Sequence, residues 1–181
     1  MVVEIHTERL VLRRWRDEDR AAFAALNADP AVMEHFPGVL SAEASDQLID
    51  LYEAAFRRDG FGFWAVTACD SSRLLGMTGL GRVDWLPQCS AAIEIGWRFG
   101  RFAWGNGYAT EAGKAALVFG HRDAGLPEIV SFTATTNLRS QLVMQRIGMT
   151  RDEAGDFDRP GLAQGHRLRR HVMYRSRWSS D

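Results

Sequence analysis

The stretch Gly96-Trp-Arg-Phe-Gly-Arg-Phe-Ala-Trp-Gly-Asn-Gly-Tyr-Ala-Thr-Glu-Ala112 decides the fold of this 181-residue chain. It continues a strand-like run and crosses a turn at Gly105-Asn106-Gly107. It then enters a helical pattern with small or apolar residues on one face: Ala109, Ala112, Ala116 and Phe119. The first N–H groups of a helix have no internal partners and carry partial positive charge, and glycine lets an anion come close to them. The stretch therefore predicts either a phosphate site at a helix N-terminus or an ordinary strand-to-helix turn.

Strand and helix patterns on both sides of this stretch give the element order β-α-α-β-β-β-α-β-α-β-β. The predicted strands lie within residues 7–16, 61–69, 74–85, 90–97, 128–135, 149–157 and 167–177. The predicted helices are residues 17–29, 41–59, 108–124 and 138–147. Antiparallel strands come first and helices then alternate with strands, which predicts an α+β or mixed α/β fold. No repeat or linker interrupts the pattern, so we expect one domain over residues 1–181.

The composition is that of an ordinary globular protein, with 46% hydrophobic and 25% charged residues. A formal net charge of −1 argues against a protein that binds nucleic acid through its overall charge. The chain starts without a signal-like apolar segment and has no apolar run long enough to span a bilayer, so we expect a cytoplasmic protein with no membrane partner. Cys69 and Cys89 are too few and too far apart for a disulfide framework or a zinc site. The histidines lack metal-ligand spacing, and we predict no metal.

Four stretches occur in order along the chain: Thr7-Glu-Arg-Leu-Val-Leu-Arg13; Glu94-Ile-Gly-Trp97 followed by Trp104-Gly-Asn-Gly-Tyr-Ala-Thr-Glu-Ala112; Asn137-Leu-Arg-Ser140 with Gly148-Met149; and His171-Val-Met-Tyr174. Together they resemble the GNAT superfamily of N-acetyltransferases, in particular the RimJ/RimL-like branch of ribosomal-protein N-terminal acetyltransferases. The resemblance implies a central, mostly antiparallel sheet with a splayed strand pair and flanking helices. One position departs from the pattern, because Phe102 stands where the superfamily usually has Arg or Gln. This departure puts in doubt any side-chain contact from that position to a phosphate.

The same resemblance implies that acetyl-CoA is the cosubstrate and that its acetyl group moves directly to a primary amine in a ternary complex. The strand ending near Trp97 would part from the strand at 128–135 and leave a slot for pantetheine. Backbone groups from Trp97 to Phe99 would bond the pantetheine amides and polarise the acetyl carbonyl, and N–H groups from Gly105 to Ala109 would hold the pyrophosphate. The implied cofactor-binding residues are Trp97, Phe99, Trp104, Gly105, Asn106, Gly107, Tyr108, Ala109, Thr110, Asn137 and Ser140.

Two side chains are candidate catalytic groups. Glu94 lies in the middle of a strand between two isoleucines, where an unpaired charge is expensive. It is therefore either a general base, acting directly or through water, or half of a structural ion pair with an arginine. Ser140 resembles the residue that lies near the CoA sulfur and could donate a proton to the thiolate; the alternative is a solvent-facing residue. Asn137 is a cofactor contact, a plain helix N-cap, or both.

The acceptor amine is left open by the sequence: it is either a protein N-terminus or a small amine such as an amino acid, polyamine or aminoglycoside. We expect its recognition in the loops at 28–42, 84–90 and 156–166. His35, His166 and His171 are candidates for substrate contact or for the base, with a structural hydrogen-bonding role as the alternative. Six aromatic residues are expected to be mostly core, with some walling an acceptor pocket: Trp15, Phe36, Phe61, Phe63, Trp64 and Trp85.

Several alternatives stay open at this stage. Six arginines between Arg159 and Arg177 either attract an acidic acceptor or RNA, or form a solvated surface. A non-catalytic module that binds CoA is the competing class of function. A dinucleotide-binding domain is set aside, because Gly105-x-Gly107-x-x-Thr110 lacks the third glycine and the βαβ context. The use of other acyl-CoAs and assembly into a homodimer are undecided.

Overall fold

A computed structural model gives the structure of the protein, and the description covers residues 4–86 and 92–178. The strands within this part of the chain are β1 Ile5–His6, β2 Leu10–Arg13, β3 Phe63–Ala68, β4 Leu74–Arg82, β5 Ile93–Phe99, β6 Glu128–Ala134, β7 Thr150–Asp158 and β8 Arg170–Arg177. The helices are α1 Asp19–Asn27, α2 Ala42–Asp59, α3 Tyr108–Arg122 and α4 Leu138–Arg146, and a 3₁₀ turn covers Arg101–Ala103.

The predicted elements are confirmed in kind and order, and the differences lie at their ends. Strand β1 was not predicted, because two residues are too few to show a period. Strand β5 runs past Trp97 to Phe99. Strand β8 begins at Arg170, because residues 166–169 form a turn in which Arg169 N–H donates to the His166 carbonyl. The predicted turn at 86–88, the start of the predicted strand at 90–97 and Cys89 fall largely or wholly within residues 87–91, outside the described residues.

Helix α1 begins at Asp19 and not at residue 17, because the Asp19 carboxylate binds groups that precede the helix. It accepts from the Arg16 N–H at 2.9 Å and from two nitrogens of the Arg13 guanidinium at 2.7 and 2.9 Å. Helix α2 follows the predicted pattern, with Ser41 accepting from Ala44 N–H as the N-cap. Both helices lie on the same face of the sheet.

All eight strands form one sheet in the order β1-β2-β3-β4-β5-β6-β8-β7. Every neighbouring pair is antiparallel except β5 and β6, which run parallel and are joined through α3. Strand β5 pairs with β4 along its whole length, but it meets β6 at a single bridge, Glu94 opposite Val130. Beyond that bridge the two strands part. The mixed α/β fold with a mostly antiparallel sheet and a splayed strand pair is therefore confirmed.

The sheet separates two apolar clusters, and the alternation of β5 assigns its residues to one or the other. Ile93, Ile95 and Phe99 belong to the larger cluster, which includes the buried face of α3 and Met144 of α4. On the opposite face a second cluster joins α1 and α2 to the sheet through Phe23, Ile49, Ala65 and Met77. Glu94, Gly96 and Arg98 therefore face the α1/α2 side. No helix in the described part of the chain is long and apolar enough to cross a membrane.

Candidate active site

The turn before α3 presents a row of unpaired backbone N–H groups. Gly105 and Gly107 have φ angles of 79° and 78°, which glycine adopts without strain, and Gly107 is the N-cap of the helix. Within the described residues, the N–H groups of residues 105–110 donate to no protein acceptor; the first helix-capping bond is from Glu111 N–H to the Gly107 carbonyl. These groups, together with the helix dipole, form an anion-binding surface at the mouth of α3.

The turn is fixed by residues far away in the sequence. The Arg9 guanidinium donates to the Asn106 carbonyl at 3.0 Å and to Glu111 at 2.7 Å, and its carbon lies 4.9 Å from the centre of the Tyr108 ring. The Thr7 hydroxyl donates to the same Glu111 carboxylate at 2.6 Å. These hydrogen bonds lower the pKa of Glu111, although burial alone would raise it. Sequence reasoning missed this positioning role, because nothing in the chain pairs the first motif with the second.

A cavity of about 610 Å³ extends from this turn along the parted edge of β5. It is lined from both faces of the sheet, since it includes Trp97 and Ser140 on the α3/α4 side and Glu94 and Arg98 on the α1/α2 side. The predicted site residues that line it are Glu94, Trp97, Phe99, Trp104, Gly105, Gly107, Tyr108, Ala109, Thr110, Asn137 and Ser140. Asn106 does not line it: its side-chain amide donates to the carbonyls of Ala103 and Trp104 within the turn.

The start of α4 closes the other side of the cavity. The Asn137 side chain accepts from Ser140 N–H at 3.2 Å, so the N-cap interpretation is confirmed, and its amide donates to the Thr133 hydroxyl at 2.9 Å. Ser140 lines the cavity half-buried, and its hydroxyl has no hydrogen-bond partner within the described residues. That hydroxyl is therefore free to meet a ligand in the cavity.

Glu94 is a carboxylate without a partner at the point where the strands part. Within the described residues it makes no hydrogen bond and no ion pair, so the predicted alternative of a structural ion pair with an arginine is wrong. Burial raises the pKa of Glu94 to about 7, and the positive charge of Arg159 opposes that rise. A carboxyl group with a pKa near neutrality can exchange a proton with an amine at physiological pH.

The α1/α2 side of the cavity is walled by aromatic and cationic residues. Tyr52 and Phe63 lie with their ring centres 5.0 Å apart, and Phe36, His35 and Arg98 complete the wall. The loops at 28–42 and 156–166 both contribute lining residues, whereas most of the loop at 84–90 lies outside the described residues. Recognition of the acceptor by these loops stays a prediction. Further residues that line this side are Ala31, Val32, Met77, Phe132, Arg159 and His171.

The histidine and aromatic candidates fall into two groups, those that line the cavity and those that do not. His35 and His171 line the cavity, and burial lowers the pKa of both rings. His166 does not line it, and its Nδ1 accepts from Leu168 N–H. Trp15, Phe61 and Trp64 are core residues. Phe36 and Phe63 line the cavity, and Trp85 packs outside it against Phe132 and Phe157.

The arginines near the C-terminus form ion pairs, which supports the solvated-surface interpretation. Arg175 and Arg177 both bind Glu128, and Arg175 also binds Asp152. Arg169 and Arg170 pair with Asp158. Of the two others, Arg167 donates to the Glu34 carbonyl and Arg159 lies over the Trp85 ring.

A second, more open cleft of about 920 Å³ lies between β1, the end of α2 and the outer side of α3. Its central acids are already paired, Asp59 with Arg58 and Arg82, and Glu111 with Arg9. It contains none of the predicted site residues. The predicted site residues lie instead around the cavity at the parted strands, which is therefore the candidate active site.

Comparison with known proteins decides the family. The model of the acetyltransferase (GNAT) domain matches residues 9–150, which cover both the turn before α3 and the cap of α4. The chain belongs to the GNAT acetyltransferase family. It is an acetyl-CoA-dependent N-acetyltransferase.

Three similar proteins illustrate the relationship of this acetyltransferase to known ones. An FsC-acetyl coenzyme A-N(2)-transacetylase of Aspergillus fumigatus is 28% identical over 96% of this chain and 83% of its own length. The crystal structure of a GNAT-family acetyltransferase from Bacillus anthracis is 26% identical, with a TM-score of 0.80, over 97% of this chain and 98% of that one. A RimL ribosomal L7/L12 alpha-N-protein acetyltransferase in complex with coenzyme A is 18% identical, with a TM-score of 0.77, over 99% and 100%, and shows the fold alone.

Proposed function

We propose that this acetyltransferase moves the acetyl group of acetyl-CoA directly to a primary amine, with both substrates bound together in the cavity at the parted strands. The observation that carries this proposal is the continuity of the cavity: it joins the unpaired N–H groups of residues 105–110 to the unpaired carboxylate of Glu94. One end suits a pyrophosphate and the other suits an amine. A cavity lined from both faces of the sheet allows two substrates to meet at its centre.

The cofactor half is proposed to bind mainly through the backbone. The N–H groups at the mouth of α3 would hold the pyrophosphate, and the edge of β5 from Trp97 to Phe99, which lacks a ladder partner on β6, would bond the pantetheine amides. Phe102 is exposed and lies outside the cavity, which agrees with a phosphate site built without that side chain. Arg139 and Arg146 of α4 line the same half and add positive charge.

The transfer step assigns a role to each catalytic candidate. Glu94 takes the proton of the incoming ammonium, directly or through water, and the neutral amine attacks the thioester carbonyl. The C–N bond forms and the C–S bond breaks. The CoA thiolate takes a proton from the Ser140 hydroxyl, the nitrogen of the new amide loses its second proton to solvent, and solvent restores the Ser140 proton. N–H groups along the parted edge of β5 would stabilise the negative oxygen in the transition state.

The proposal also concerns the chemical class of the acceptor. The RimL neighbour is named as a ribosomal L7/L12 alpha-N-protein acetyltransferase, and the Aspergillus relative as an FsC-acetyl coenzyme A-N(2)-transacetylase. We place this protein in the RimJ/RimL-like branch by its motifs, with a protein N-terminus or a small amine as acceptor. A non-catalytic CoA-binding protein is the alternative, and its signature would be CoA binding without turnover of any amine.

The test compares two valine substitutions at opposite ends of α3. Gly107→Val and Gly125→Val both place a branched side chain at a positive φ, 78° and 65°, with no close contact in the way. Gly107→Val is expected to weaken CoA binding about 100-fold or more, measured by calorimetry, because it distorts the N–H groups at the helix mouth. Gly125→Val is expected to cost similar stability and leave CoA affinity unchanged. Equal CoA affinity in the two variants would contradict the proposed pyrophosphate site. Thiol release from acetyl-CoA across an amine panel then tests catalysis.

A further inference from the structure

Arg98 is a buried arginine without an anionic partner. It is 8% exposed and faces the α1/α2 side of the cavity from β5. Its Nη1 donates to the neutral amide oxygen of Asn27 at 2.5 Å, and its guanidinium lies 4.2 Å from the centre of the Phe36 ring. Its Nε is buried and has no hydrogen-bond partner. No carboxylate in the described residues forms an ion pair with it.

The other buried arginine of the described chain shows how unusual this arrangement is. Arg13 also lies on a strand next to α1, but both ends of its guanidinium bind the Asp19 carboxylate, at 2.7 and 2.9 Å. Its charge is neutralised within the protein. A buried charge without a counter-ion carries a desolvation cost that a bound anion would offset. Arg13 does not line the cavity, whereas Arg98 does.

The surroundings of Arg98 connect it to the proposed reaction. Arg98 and Glu94 lie on the same face of β5, and the phenol of Tyr52 interacts electrostatically with both. On the same wall the Nδ1 atom of His35 is buried without a partner. The α1/α2 side of the cavity therefore offers a proton acceptor, Glu94, and two polar groups that can bind an anion, Arg98 and His35. This is the pattern that an amine with a negatively charged group would satisfy.

Resting on the proposed function, we propose that the acceptor is an amine that also carries a carboxylate, and that Arg98 binds this carboxylate while the amine lies at Glu94. The carboxylate accepts hydrogen bonds from the guanidinium and neutralises its buried charge. His35, in its neutral form with the proton on Nδ1, adds a second donor. Arg98 is then a specificity-determining residue, and it takes no part in the proton transfers of the reaction.

The experiment uses ω-amino acids as probes: glycine, β-alanine, 4-aminobutyrate and 6-aminohexanoate, each compared with its own amide. The amide keeps the amine and the chain and loses only the negative charge. The amine of the amide is also less basic than the amine of the acid, and this difference by itself favours acetyl transfer to the amide. A preference for the acid, measured as kcat/KM with acetyl-CoA, is therefore the stronger evidence. The length that gives the highest kcat/KM reports the distance between the two subsites. A Ser-Glu-Gly amide compared with a Ser-Gln-Gly amide tests whether the carboxylate comes from a peptide instead.

The decisive variant is Arg98→Gln, which loses the charge and keeps a donor for Asn27. Removal of a charge-assisted hydrogen bond is expected to lower kcat/KM for the preferred acid about 10- to 100-fold and to leave its amide unchanged. Arg98→Lys is expected to restore part of the loss. Arg73→Gln is the matched control, because Arg73 is exposed on the Phe102 ring and lies outside the cavity. Thermal unfolding confirms that each variant is folded.

The outcomes separate this inference from the proposed function. Equal use of acids and amides by the wild type, or an acid preference that persists in Arg98→Gln, would overturn the carboxylate subsite and leave acetyl transfer intact. If CoA binds and no amine in the panel is acetylated, calorimetric titration of the CoA-loaded protein with the same acids tests the subsite. Binding of an acid to the wild type that is lost in Arg98→Gln supports the subsite. Equal binding to the wild type and to Arg98→Gln overturns it. Failure to bind CoA would overturn the proposed function, and titration of the free protein would still test Arg98.

Discussion

The two edges of β5 differ in their backbone pairing, although they belong to one strand. On the β4 side β5 is paired from Ile93 to Phe99, and on the β6 side the pairing ends after the bridge at Glu94. Beyond the bridge, the Ser131 hydroxyl donates to the Ile95 carbonyl at 2.9 Å, so a side chain replaces part of the missing ladder. The comparison teaches that the candidate site lies where the backbone pairing of β5 stops, because that edge leaves polar backbone groups next to open space.

Glu94 stands at the boundary between the paired and the parted regions, and its substitution should have the largest effect. Glu94→Gln is expected to lower kcat about 10²- to 10⁴-fold, the usual range for loss of a general base. As a base Glu94 acts when deprotonated, so the wild-type rate should rise with pH through about 7, and this step should disappear in the variant. The pH–rate profiles of both proteins measure this. An unchanged profile would exclude Glu94 as the base and favour a histidine or a water chain.

The same substitution has a consequence for stability with the opposite pH dependence. The pKa of Glu94 is raised by burial from 4.5 to about 7, so the folded state binds the proton more tightly than the unfolded state. The stability contributed by this proton is present below pH 4.5 and is lost as pH rises through about 7. Glu94→Gln should therefore unfold at a higher temperature than the wild type above pH 7, with the difference shrinking towards pH 4.5. Equal melting temperatures at high pH would mean that Glu94 is not desolvated.

Ser140 faces the parted region from α4, and its substitution should have a smaller effect. Ser140→Ala is expected to lower kcat about 10²-fold, at the lower end of the range for proton transfer, with little change in CoA affinity. The N-cap bond survives, because Asn137 accepts from the backbone N–H of residue 140. Steady-state kinetics and CoA calorimetry measure the two quantities. Thr136→Ala, an exposed hydroxyl outside the cavity lining, is the control. A loss of affinity larger than the loss of kcat would make Ser140 a cofactor contact only.

The smallest effects are expected on stability, from the removal of one hydroxyl group on each side of β5. Ser131→Ala leaves the Ile95 carbonyl without its donor on the parted side and should lower the free energy of unfolding by about 1–3 kcal/mol. On the paired side the buried Thr78 hydroxyl has no partner, so Thr78→Val should leave stability unchanged or raise it. Urea unfolding measures both. A larger loss in Thr78→Val than in Ser131→Ala would contradict the view that side chains replace the ladder only on the parted side.

Most of the fold could be predicted from local patterns. The helix of residues 108–122, the N-caps at Ser41 and Asn137, and the long strands all follow from periodicity and capping chemistry. The predicted ends of β5 and β8 were less accurate, because hydrogen bonds in turns, such as the one from Arg169 N–H to the His166 carbonyl, leave no periodic pattern in the sequence. The two-residue strand β1 exists only through its pairing with β2.

The candidate site was predicted in part. The turn before α3, Glu94 and Ser140 were identified from motif and residue type, and the structure brings them to one cavity. The roles of Arg9 and Thr7 were not predicted, because the bonds to Glu111 and Asn106 join segments about a hundred residues apart. The role of Arg98 was not predicted for a similar reason. An arginine on a strand is usually a surface residue, and only the packing of the folded chain shows it buried against Asn27 and Phe36.

The sequence by itself determined the helices and strands, their order and the glycine turn before α3, because each depends on residues close together in the chain. Tertiary structure decided where β5 parts from β6 and that, within the described residues, Glu94 forms no ion pair. It also decided that Arg13 binds a carboxylate there and Arg98 does not. Pairing, burial and the distance to a counter-charge are properties of groups from different elements. Their energies depend on which groups the fold brings together, and no local pattern contains that information.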